Sequence, residues 1–159
     1  MKADAHQEHE WLQRLVGDWA YESEASMAPG MPPHKGAGTE SVRSLGGLWV
    51  LCEGRGEMPD GGVATMLMTL GFDPRARRFV GSWVGSMMTH LWIYDGWRDA
   101  SGNVLTLESE GPSFESEGKM GRYRDVIDVR SDDHRVFTSH TLEADGTWRQ
   151  FMSADYRRR

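Results

Sequence analysis

His90, Trp92 and Tyr94 stand at alternate positions, an imidazole and two amphipathic rings that share one face of a strand. Turned towards an enclosed space, that face makes a largely apolar lining with one titratable group, as small-ligand sites often have. A hydrogen-bonded structural role is the plainer alternative for His90. Glu108 and Glu110 also share a strand face, about 6.6 Å apart at the usual strand rise. Two carboxylates so placed could serve as acid and base in glycoside chemistry. The plainer reading is a polar outer side opposite Leu105, Leu107 and Ser109, or cross-strand pairing with Arg122 and Arg124. Arg122 and Arg124 alternate with Tyr123 and Asp125, so one arginine turned inward would meet a ligand carboxylate.

Other reactive side chains carry less. His6 and His9, three apart beside Glu10, could share a metal ion only with further ligands from elsewhere. A solvated helix face is the simpler account, and no metal site is expected. Cys52 has no base beside it and only Arg55 nearby, which suits a buried inert thiol rather than a nucleophile. No G-x-S-x-G elbow is present for Ser-His-Asp chemistry. Some ten-stranded barrels hold haem through one histidine, a place His90 or His140 could take. Nothing else in the chain points to porphyrin, so no cofactor is expected.

The elements that must position these residues are mostly strands. Asp4 and Gln7 have the spacing of a capping box, and Trp11, Leu12, Leu15 and Val16 lie on one face, which predicts a helix over about 5–16 ended by Gly17. Beyond it the pattern has period two, with turns at Asp60-Gly61-Gly62, Asp73-Pro74, Ser101-Gly102-Asn103, Asp132-Asp133 and Asp145-Gly146. Three prolines keep residues 28–34 in a loop. No helix-length segment separates the strands, so parallel crossovers are excluded. A meander of eight to ten antiparallel strands leaves two exposed edges unless it closes. The expected fold is therefore all-β, a closed barrel over about 17–157 within a single domain spanning 1–159.

The 159 residues carry 24 acidic and 18 basic side chains, a formal charge of -6. That balance disfavours non-specific nucleic-acid binding, which needs a basic surface. No apolar run reaches the length of a membrane span, the first residues have no apolar signal core, and the one cysteine excludes an internal disulfide. The expected compartment is the cytoplasm.

Gly17-Asp18-Trp19, between helix and first strand, resembles the G-x-W element of the lipocalin and fatty-acid-binding-protein superfamily. The resemblance implies that Trp19 plugs the closed end of the barrel, with Gly17 and Trp19 structural. It also implies a basic residue from the last strand across the indole, which Arg149, Arg157 or Arg158 would supply. The segments GTESVRSLGG at 38–47, TLGFDP at 69–74, GSWVGSMMTHLW at 81–92, LESEGPSF at 107–114, RYRDVI at 122–127 and DGTW at 145–148 resemble a bacterial family, domain of unknown function 1579. That resemblance implies a lipocalin-like barrel and brings no catalytic residues.

The expected function is binding of a small hydrophobic or amphipathic molecule inside the barrel, with Trp83, His90, Trp92, Tyr94, Arg124 and His140 as ligand contacts. Met66, Met68, Met87 and Met88 suit core filling or a flexible wall. One alternative is an isomerase or hydrolase with His90 or His140 as base, supported by Asp125 or Glu108. Another is a solid barrel acting through surface aromatics such as Trp97 or Trp148, including as a homodimer.

Overall fold

A computed structural model describes residues 1–159. One short helix, α1 (Gln7–Gln13), precedes ten strands: β1 (Gly17–Ala25), β2 (His34–Leu45), β3 (Trp49–Glu57), β4 (Val63–Asp73), β5 (Arg78–Gly85), β6 (Trp92–Arg98), β7 (Val104–Pro112), β8 (Met120–Ser131), β9 (His134–Leu142) and β10 (Trp148–Arg158). Each strand pairs antiparallel with the next, and β1 pairs with β10, so the sheet closes without a free edge. No helix is long and apolar enough to cross a membrane.

The turns follow their sequence chemistry. Gly61, Gly102 and Gly146 adopt positive φ, and the Asp60 and Asp145 carboxylates accept the N–H groups of Gly62 and Thr147.

The helix is shorter than its apolar spacing suggests, and Asp4 does not cap it. His6 stands at the N-cap, its backbone N–H donating to His9 Nδ1 at 2.8 Å. Since Nδ1 accepts, Nε2 carries the ring proton and donates to the Phe72 carbonyl at 3.0 Å. Both nitrogens of His9 are thereby spent on fixing α1 to β4, and the pair caps a helix. Trp11, Leu12 and Leu15 are buried as their spacing requires; at about 2 kcal/mol for each such side chain, this face holds the helix across the barrel end.

Gly17 does not stop the helix; it opens the space that does. Its φ is +138°, and a Cβ there would lie 2.1 Å from Arg158 Nη1. Through that gap the Arg158 guanidinium donates to the carbonyls of Val16 at 2.7 Å and Arg14 at 3.1 Å, groups left over at the helix end. The same guanidinium lies 4.2 Å from the Trp19 ring centroid. Trp19 is 2% exposed and donates from Nε1 to the Leu15 carbonyl at 2.9 Å. Of the three arginines considered, Arg158 takes this position. Arg149 pairs with Glu143 and Glu115, and Arg157 with Asp155. A second guanidinium, Arg135 on β9, lies 4.7 Å from the same ring.

Candidate functional site

Helix α1 and Trp19 close one end of the barrel, and Val50, Leu70, Phe79, Leu105, Leu107 and Ile127 pack solidly beside them. Above this floor the strands diverge around a cavity of about 310 Å³. Its wall is mainly apolar and includes Met66, Met68, Trp83, Phe137, Phe151 and Met152. At the open end Phe114, from the loop between β7 and β8, makes edge contacts with Tyr123 at 5.3 Å and Phe151 at 5.5 Å. Trp92 stands beside it, its indole over Gly111, where a Cβ would meet the ring at 2.1 Å. The indole N–H reaches Met88 Sδ at 3.1 Å.

Three charged side chains line this space, Glu40, Asp125 and Arg135, and no histidine or lysine does. Arg135, 3% exposed, donates to Glu40 from Nη2 and lies 4.1 Å from the Tyr156 ring, while its Nε has no partner. Asp125 sits on β8 opposite Leu107 and Ser139. Its Oδ2 accepts from the Tyr94 hydroxyl at 2.5 Å, and its Oδ1 from Ser139 Oγ at 2.6 Å. Burial raises the Asp125 carboxyl above its ordinary value of 3.8, against the opposing pull of the two hydroxyl bonds and nearby His140. Burial and that same carboxylate hold the Tyr94 phenol well above its usual range. Cys52 is buried and its thiol is pushed up, first by burial and then by Glu40, so it is not poised as a nucleophile.

An aspartate whose carboxyl is raised by burial has a signed consequence. The folded state holds the proton to higher pH than the unfolded chain, so the contribution to stability is full below about pH 4 and is lost as pH rises through the folded-state value. Asp125→Asn is therefore expected to be more stable than the wild type at neutral pH, by a margin that shrinks towards acid. Melting temperatures of both proteins between about pH 4 and pH 8 measure this; a margin independent of pH would contradict it.

Of the residues expected to contact a ligand, Trp83, Trp92 and Tyr94 line the cavity, while His90, Arg124 and His140 do not. β6 begins at Trp92, so His90 precedes the strand. Its Nε2 faces the Glu110 carbonyl at 2.9 Å and its ring edges onto Trp92 at 4.8 Å. Arg124 points outward, held by Glu108 at 2.8 Å and lying 4.1 Å from the Trp148 ring and 5.5 Å from Trp97. These surface indoles are thus partly covered by a guanidinium. Arg122 also reaches Glu108 from outside, at 3.4 Å, so neither arginine enters the barrel. His140 is on the outer side of β9, with Nδ1 at 3.3 Å from the Arg124 carbonyl. A base for chemistry inside the cavity would have to be a carboxylate, and a haem iron there would find no imidazole.

Sequence reasoning reaches Asp125 only as support for a histidine base, and Ser139, Glu40 and Arg135 not at all. One signal was present: Leu105 and Leu107 are inward, and antiparallel register sets Asp125 against Leu107.

The model of a family described as "Protein of unknown function (DUF1579)" matches residues 4–158. No curated protein matches the chain. Among solved structures, the crystal structure of Rv2717c from M. tuberculosis is similar at 15% identity, with a TM-score of 0.67 over 98% of this chain and 99% of that one. Two further barrels resemble it in fold. EF1p2_mFAP2b bound to DFHBI has 10% identity and a TM-score of 0.52 over 96% of this chain and all of that one. The redesigned barrel mFAP0 bound to DFHBI has 12% identity and a TM-score of 0.51 over 92% and 100%.

Proposed function

The chain belongs to the DUF1579 family of proteins of unknown function, and from that premise we propose that it is a carrier or sensor that binds one small, largely apolar molecule inside its barrel. The observation that carries this reading is the cavity inside the barrel, apolar over most of its wall and furnished with a few buried polar groups. A core evolved only for stability would fill such a space with side chains, since interiors pack to crystal-like density. The methionines on the wall suit a site that adapts to its occupant. The dye-bound state of the two similar barrels supports the capacity of this shape to hold a small molecule. The unpaired thiol of Cys52 fits a reducing, cytoplasmic setting.

Titration of the purified protein with a neutral naphthalene dye tests the reading, with native mass spectrometry to detect any molecule carried through purification. Trp83 and Trp92 line the cavity, so uptake is expected to quench tryptophan emission at one-to-one stoichiometry. Ser109 is buried on the same wall, and Ser109→Phe, which projects a ring into the space, is expected to weaken dye binding by about tenfold or more. A folded wild type that neither carries nor takes up any such molecule would overturn the proposal.

A further inference from the structure

The cavity has one polar station whose hydrogen bonds and charge are both incomplete. Tyr94 and Ser139 each own a single hydroxyl proton, and each donates it to Asp125. With both protons used, the two hydroxyl oxygens and the ionised carboxylate present only lone pairs to the cavity. An occupant must bring the donors.

Charge leads the same way. Arg135 is matched by Glu40, and the other arginines near this wall, Arg122 and Arg124, are outside and held by Glu108. Asp125 is the one charged group facing the cavity without an ion-pair partner there, the nearby His140 lying on the outer side of β9, and an unpaired buried carboxylate is costly. Trp83, Trp92, Tyr94 and Tyr123 line the space with aromatic rings, whose faces attract a cation.

Resting on the cavity-binding reading above, we propose that the ligand is a small amphipathic amine whose protonated nitrogen seats among Asp125, Tyr94 and Ser139. An ammonium brings up to three N–H donors and one positive charge, which completes both deficits together. Its hydrocarbon body then lies against the methionine and aromatic wall. At this station a carboxylate ligand fails on both grounds, because it would bring lone pairs to lone pairs and a second negative charge to Asp125. An alcohol supplies one donor and leaves the charge unmatched.

Three probes with one apolar body separate these cases: octylamine, octanol and octanoate, each titrated at neutral pH by calorimetry and by displacement of the neutral naphthalene dye. Octylamine is expected to bind at least about tenfold more tightly than octanol, with octanoate weakest. In Asp125→Asn that advantage of amine over alcohol is expected to shrink to within about twofold. Circular dichroism establishes that the variant is folded, and the wild-type series decides alone if it is not. Dye uptake with octanol or octanoate equal to octylamine, or an amine advantage that survives Asp125→Asn, overturns the amine and leaves the cavity reading intact. Failure of the dye and all three probes to bind overturns both.

Discussion

Trp19→Ala is expected to lower the free energy of unfolding by about 3–5 kcal/mol, the usual cost of emptying a large aromatic site in a core. The indole is almost fully buried, and its loss removes three things together. It leaves the Leu15 carbonyl without a donor, takes the aromatic surface from beneath Arg135 and Arg158, and opens a void under the barrel floor. Against a typical total of about 5–15 kcal/mol, that is a large share of the stability. Equilibrium denaturation in urea measures it through the midpoint. Trp148→Ala is the matched control, a half-exposed indole on the outer face, and is expected to cost about 1 kcal/mol or less. Equal losses in the two variants would mean that Trp19 is not the plug its contacts describe.

Glu40→Gln is the second large effect, expected at about 3–5 kcal/mol because it strands a buried guanidinium. Arg135 already has an unpartnered Nε, and Glu40 is the carboxylate that neutralises it. Glutamine keeps the size and one acceptor oxygen, so the loss reports charge rather than volume. Adding Arg135→Met to Glu40→Gln is expected to restore most of the stability, since removing both members of a buried pair is often close to neutral. The double-mutant comparison in denaturant checks this. A single mutant as stable as the wild type would mean that water in the cavity already screens the pair.

Periodicity and turn chemistry were enough to find the barrel. Alternation broken at Asp-Gly and Asp-Pro turns predicts eight to ten strands, the want of a crossover helix makes them antiparallel, and the two edges of an open meander call for closure; ten strands close. The helix was found but misbounded. Asp4 has the better local cap chemistry, yet the real anchor is tertiary, the His9 hydrogen bond to the Phe72 carbonyl on a strand far away in sequence. The site was half legible for a different reason. Alternation tells which residues share a face and not which face is inside. On β6 both faces are apolar, and Trp92 and Tyr94 are buried while Leu91, just before the strand, and Ile93 are exposed. On β8 the ambiguity set Arg122 and Arg124 against Tyr123 and Asp125. The arginines found partners outside in Glu108, and the aspartate was left inside. Glu40 and Arg135 lie on β2 and β9, which do not pair with each other, so no short-range pattern links them.

The contact that ends the helix also sets a timetable for the molecule's assembly. Arg158 binds the Val16 carbonyl from 142 positions further along the chain, on the strand that closes the barrel against β1. Until β10 pairs with β1 and β9, the other nine strands can form only an open sheet with β1 and β9 as bare edges. Only the arrival of the last dozen residues lets the sheet become a ring and secures the plug at the same moment. A ring joined so late bears its loop-closure cost in one step. It also passes through a stage in which two unpaired edges and the cavity wall face a crowded cell. Joining the ring and locking its plug are thus one event, because both depend on β10 reaching β1.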